Sequence, residues 1–235
     1  MRMENRLEWL SEDEGRIFFY DGEMPVLTME VFLTGDEEAE LKIQDIVFLK
    51  GWEENDKIRQ EVILRVTKCI SESFRLLWEE GYEETILVEQ KGTKTAEMLD
   101  STDVVRKVYK EYMMKRHFAQ QKSTNCGLDL LHLTKTEDGY ACENKDHTFF
   151  CRLLEHESEQ PEEACFYLYE VEVSKVHRNK GVATACLNGL FQNLWSRSSG
   201  TIYLQVGSYN EPAVHLYEKL GFEICEELGY YAMAE

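Results

Sequence analysis

Between Val171 and Ala183 the chain reads VEVSKVHRNKGVA, and the residue types change character in the middle of it. Before it, Phe166 to Val173 are aromatic, β-branched and alternating, the pattern of a strand. After it, Leu187, Leu190, Phe191 and Leu194 recur at the spacing of one helix face. The turn Arg178-Asn179-Lys180-Gly181-Val182-Ala183 therefore joins a strand to a helix N-terminus, where unpaired backbone N–H groups favour a diphosphate. Gly181 has no Cβ to hold a phosphate away, Ala183 is small, and the Thr184 hydroxyl is one more donor. Lys175, His177, Arg178 and Lys180 place positive charge around the turn. On the strand itself, alternation sets the carboxylates Glu170 and Glu172 on one face and Val171 and Val173 on the other. Asn210 before Glu211-Pro212-Ala213 has the residue types of a helix cap, with Pro in the first turn and an acid at the positive end of the dipole.

The elements that must position these residues run through the second half. Strands are expected at 128–134, 140–143, 148–154, 165–173 and 201–206, helices at 181–196 and 211–220, and a closing strand or pair over 222–233. In the first half, strands are expected at 16–21, 26–33, 41–50 and 85–89. A long helix over 55–80 carries Ile63, Val66, Ile70, Phe74 and Leu77 on one face and stops at Gly81, and a second helix is expected over 104–118. The polar stretch 119–125 is the expected linker, dividing the chain into domains 1–120 and 121–235.

The Arg-x-x-Gly-x-Ala turn resembles the acetyl-CoA pyrophosphate loop (R/Q-x-x-G-x-G/A) of the GCN5-related N-acetyltransferases (GNAT). The run from Tyr203 to Phe222, with its strand, Asn210, a short helix bearing Tyr217, and Leu220-Gly221-Phe222, resembles that family's second motif. The likeness covers roughly residues 125–235. It implies a mixed α/β sheet of the acyl-CoA N-acyltransferase fold and an acetyl group moved from acetyl-CoA to a primary amine by direct attack. Arg178, Asn179, Lys180, Gly181, Val182, Ala183 and Thr184 would hold the diphosphate. Val171 and Val173 would line the pantetheine arm, with a backbone N–H of that strand facing the oxyanion. Asn210 would contact the pantetheine amide region. Tyr217 would be the general acid, and Glu170 or Glu172 the base. The acceptor would be a small-molecule or peptide amine. The order strand, long helix, strand, helix occurs in both halves. The N-terminal half is thus either a degenerate GNAT-like copy, as in tandem members of the family, or an unrelated α/β domain. Neither Lys50-Gly51-Trp52-Glu53-Glu54 nor Gln90-Lys91-Gly92-Thr93-Lys94 repeats the family motifs, so a copy would have lost cofactor binding.

Composition narrows the alternatives. Of 235 residues, 43% are hydrophobic and 30% charged, with a formal net charge of −19. That field repels nucleic acid. The charged N-terminus has no signal-peptide core, and no run is long enough to span a bilayer, so no membrane partner and a cytoplasmic location are expected. The seven cysteines show no C-x-x-C pair, and no metal-ligand spacing occurs, so neither disulfides nor a metal is expected. No G-x-x-x-x-G-K-[S/T] or G-x-G-x-x-G is present, which argues against a mononucleotide kinase or a dinucleotide dehydrogenase. A non-catalytic acyl-CoA-binding sensor of the same fold is the competing reading, and the chain is expected to be a monomer or a homodimer.

Overall fold

The computed structural model describes residues 4–21, 23–46, 56–120, 131–158 and 163–234. The segment 50–54, most of the expected linker 119–125, the start of the strand expected at 128–134 and residues 159–162 lie outside the described residues. The chain forms two compact units, residues 1–110 with 227–235, and residues 111–226.

In the first unit, strands β1 (Glu4–Trp9), β2 (Glu14–Asp21), β3 (Met24–Leu33) and β4 (Glu38–Ile46) form an antiparallel meander. Helix α1 (Asp56–Glu79) returns the chain to β5 (Glu84–Gln90), which lies parallel to β4. The expected stripe is the one that is buried: Val66, Ile70 and Leu77 are wholly inaccessible and meet Ile17, Met29 and Leu41 of the sheet. Each such side chain contributes about 1.5–3 kcal/mol on leaving water. Gly81 ends α1 with a positive φ of 102°, and the Tyr82 N–H bonds back to the Leu77 carbonyl. A short helix α2 (Lys94–Asp100), capped by Thr93, follows β5. The outer neighbour of β5 is the end of the last strand, β12 (Glu223–Met233), paired over Leu228–Tyr231.

The second unit repeats the plan. Strands β7 (Leu131–Lys135), β8 (Gly139–Asn144), β9 (Phe149–His156) and β10 (Glu163–Val173) form the meander. Helix α3 (Val182–Trp195) leads to β11 (Ser199–Gly207), parallel to β10, and then to the short helix α4 (Glu211–Lys219). The neighbour of β11 is the second half of β6 (Val105–Phe118), in antiparallel register from Gly200↔Phe118 to Gly207↔Glu111.

The helix expected over 104–118 is therefore a strand, β6. Its Lys, Arg, Met and Glu residues favour a helix locally, and ladder pairing with β11 overrides that weak preference. The element in the helix position of the first half is α2, which the sequence reading omitted along with β1. The repeat extends to finer features. The parallel pairing of β4 with β5 stops at Lys42↔Val88 and that of β10 with β11 at Tyr167↔Tyr203, each after five pairs. Each fourth strand also carries a register irregularity just beyond that point. The first half is thus a second copy of the same topology, and the last strand of each half-chain is built into the sheet of the other unit.

The start of β11 is closely packed. A Cβ at Gly200 would collide with the backbone carbonyl of Ala164 on β10. Gly200→Ala should destabilise the chain by about 1–3 kcal/mol and lower the midpoint of thermal unfolding by several degrees; an unchanged midpoint would refute the close approach. Among the described residues no helix is long and apolar enough to cross a membrane, and no three His, Cys, Asp or Glu side chains are grouped to hold a metal ion.

Candidate functional site

The site is built around the end of β10. After Tyr167↔Tyr203 the two parallel strands part, while β10 runs on to Val173 and β11 to Gly207. Between them, backbone groups have no ladder partner across the gap. On its other edge β10 pairs with β9, and the register shifts between Tyr169 and Glu172. Glu170 takes a left-handed φ of 49° there, an uncommon conformation for a residue with a side chain. This bulge re-aims the strand beside the gap, a role such irregularities often serve. Strict alternation thus fails at Tyr169–Glu170, although Val171 and Val173 do pack on the apolar core and Glu170 and Glu172 are both exposed. Glu170 is held in an ion pair with Arg152, 2.8 Å away. Glu172 stands opposite Phe150.

Beyond Val173 a single 3-10 turn, Lys175–His177, leads to the loop. The Arg178 Nε donates to the Val173 carbonyl at 3.0 Å, and Ser174 Oγ lies 2.8 Å from His177 Nδ1, so the turn is tied to the strand end. Asn179 and Gly181 both have positive φ, 58° and 77°. Gly181 is the N-cap of α3, and no atom lies within 4 Å of where its Cβ would stand. The first helical bond runs from the Ala185 N–H to the Gly181 carbonyl, so the N–H groups of Val182, Ala183 and Thr184 precede it. Lys175, Arg178 and Lys180 are exposed around this open concavity. Left-handed residues on either side of Lys180, with a helix start after them, gather backbone N–H groups in the manner of an anion-binding nest.

Helix α4 carries the other two expected residues. The Asn210 Oδ1 accepts from the Ala213 N–H at 3.4 Å and caps the helix. At the far end, Gly221 (φ 83°) donates to the Glu218 carbonyl and the Phe222 N–H donates to the Tyr217 carbonyl. These are the two bonds of a Schellman stop, with its apolar contact made by Phe222 on Tyr217, ring centroids 5.8 Å apart. The Leu-Gly-Phe triplet thus fixes the tyrosine ring. Tyr217 is 7% exposed, and burial, with a smaller contribution from Cys151, pushes its phenol up to about 12. The hydroxyl stays protonated throughout the physiological range.

Sequence reasoning missed Arg152, the partner of Glu170, because cross-strand pairing is not local. It also missed Cys151, which opposes Cys142 on β8 and lies near Tyr217.

The fold is similar to that of solved structures of GNAT proteins. The structure covers 97% of this chain and 82% of a GCN5-related N-acetyltransferase from Sphaerobacter thermophilus, with a TM-score of 0.62 and 12% identity. It covers 94% of this chain and 83% of a tandem GNAT protein from the clavulanic acid biosynthesis pathway, with a TM-score of 0.52 and 11% identity. At these identities the likeness is one of fold. In sequence, residues 136–222 match the model of the acetyltransferase (GNAT) family. Curated relatives include a streptothricin acetyltransferase from Streptomyces lavendulae, 32% identical over 56 residues, which are 24% of this chain and 30% of that protein. Another is an N-alpha-acetyltransferase from Saccharolobus solfataricus, 37% identical over 71 residues, 29% of this chain and 42% of that protein. The chain thus spans less than half the length of either relative.

Proposed function

We propose that this chain is an acetyl-CoA-dependent N-acetyltransferase acting on a primary amine by direct attack in a ternary complex. The observation that carries this is the gap between β10 and β11 opening directly beside the Gly181 cap, with Tyr217 fixed alongside. The residues present suit the cosubstrate. The space at Gly181 is open, beside the free N–H groups of the helix start and the exposed Lys175, Arg178 and Lys180.

When bound, acetyl-CoA supplies the acyl group as a thioester. Val182, Ala183 and Thr184 would bind the diphosphate through their N–H groups, and Arg178 and Lys180 through charge. The edges of β10 and β11 would take the pantetheine amides in place of ladder partners, and Asn210 stands at the end of that gap. A backbone N–H at the β10 bulge, around Val171, would face the oxygen on which charge develops. Tyr217 would donate a hydrogen bond to the departing sulfur. Its high proton affinity favours donation of a hydrogen bond over complete loss of the proton, since a thiol titrates near 8.5. The names of two curated relatives, a streptothricin acetyltransferase and an N-alpha-acetyltransferase, suggest streptothricin and an α-amine as the first acceptors to screen.

Calorimetric titration with acetyl-CoA tests the reading, followed by thiol release in the presence of amines. One saturable site and amine-dependent release are expected. Binding without release by any amine would favour the sensor reading, and absence of binding would refute the site.

A further inference from the structure

On the reading above, the acceptor still needs a place to bind and a group to take its proton. We propose that Glu111, Tyr167, Tyr203 and Gln205 form the seat of the acceptor's ammonium group, with the Glu111 carboxylate removing a proton from it.

The argument begins with register. Tyr167↔Tyr203 is the last pair before β10 and β11 part, so these two side chains stand together at the head of the gap. Their flanking residues Phe166, Leu168, Ile202 and Leu204 are buried on the other face, in one core cluster with residues of α3 and α4, Tyr217 among them. Tyr167 and Tyr203 therefore face away from Tyr217. On β11 the same face continues to Gln205 and Gly207, and Gly207 stands opposite Glu111 of β6. The Gln205 Nε2 donates to a Glu111 carboxylate oxygen, which aims that carboxylate along the strand toward the tyrosines. The charge of Glu111 reaches Tyr167: after burial, it is the second cause that raises the Tyr167 phenol. A carboxylate thus lies within electrostatic range of a strand two places away, across the gap itself. All four residues are half-buried. Among the described residues of this unit, α3 and α4 pack on the other face, with Phe166, Leu168, Ile202 and Leu204. The connection from β7 to β8 is a tight turn between Lys135 and Gly139, in which the Thr136 N–H bonds to the Gly139 carbonyl.

The chemistry of this set is that of a cation seat. A carboxylate provides the charge, and tyrosine faces and hydroxyls provide the lining that an ammonium favours over a neutral or anionic group. The placement suits attack. An amine seated there meets the thioester carbon from one side of the sheet, with Tyr217 on the other. The ammonium carries three protons. One passes to Glu111, and the freed lone pair forms the C–N bond. The C–S bond breaks with its pair on sulfur, and the second proton leaves nitrogen and ends on that sulfur. The products are an N-substituted acetamide, a free thiol and one proton, which Glu111 returns to solvent.

The experiment uses the full chain and three primary amines: spermidine, a peptide with a free N-terminus, and streptothricin. Acetyl-CoA affinity is measured by calorimetry, and kcat and KM for each amine by thiol release. With any amine that turns over, Glu111→Gln should lower kcat/KM by about 100-fold and leave acetyl-CoA affinity within twofold. Tyr167→Phe, which deletes one hydroxyl and tests the seat even if Glu111→Gln does not fold, should raise the amine KM at least fivefold with acetyl-CoA affinity unchanged. Retention of kcat/KM within threefold by both variants would overturn the seat. So would a wild-type chain that binds acetyl-CoA and neither binds nor acetylates any of the three amines. A wild-type chain that fails to bind acetyl-CoA would overturn the acetyltransferase reading, and this site with it.

Discussion

Gly181→Asp should abolish measurable acetyl-CoA binding, while Gly181→Asn, which adds similar bulk without the charge, should weaken it far less. Both side chains tolerate the left-handed conformation that this position requires better than other residues do. Both are favoured N-caps, so neither should unfold α3. Both enter open space, since no atom lies near the site of the new Cβ. The two variants thus share the backbone cost and the bulk, and differ in one negative charge at the floor of the anion nest. Two unit charges about 5 Å apart at an effective dielectric near 20 repel by about 3 kcal/mol, which is over 100-fold in Kd. Titration calorimetry of the pair separates charge from shape. If the aspartate variant binds within threefold of the asparagine variant, the diphosphate does not sit at this turn.

The second large effect is at Tyr217. Tyr217→Phe should lower kcat by 10- to 100-fold and leave acetyl-CoA affinity and thermal stability close to wild type. The substitution removes one oxygen and keeps the ring, so the contact with Phe222 that closes α4 survives. What disappears is a donor aimed at the sulfur, whose value is confined to the step in which charge develops there. Because burial holds the phenol near 12, wild-type activity should show no alkaline decline due to Tyr217 below pH 10. The same shift has a stability consequence. An unfolded tyrosine ionises near pH 10 and the folded one near 12, so the contribution of the buried neutral phenol is complete below 10. It is lost as pH rises through that interval. A Phe variant with undiminished kcat would remove Tyr217 from the chemistry.

The parts of the site legible in the sequence were those written in short-range signals. The strand-to-helix switch at 173–182, Gly181 at its turn, the Asn210 cap and the short helix over 211–220 each depend on neighbours within a few residues. What stayed hidden depends on distant pairing. Residues 105–118 contain enough Lys, Arg, Met and Glu to read as a helix, and only the ladder with β11, more than eighty residues away, makes them a strand. Glu111 vanished from consideration with that misreading, since a helix would have put its carboxylate on an unrelated face. The bulge at Glu170 was invisible for a similar reason. It is defined by the partner strand β9 and has no residue type of its own.

The exchange of terminal strands also bears on how the molecule is made. β5 waits for Leu228–Tyr231, and the first unit cannot complete its sheet until the chain has been made through Tyr231. At usual elongation rates the open edge of β5 persists for on the order of ten seconds, an interval in which an unpaired edge is a template for wrong partners. Neither half-chain is a self-sufficient translation product, because each carries the other's closing strand. A chain without residues 227–235 would leave its first unit, the one made earliest, without the strand that closes β5.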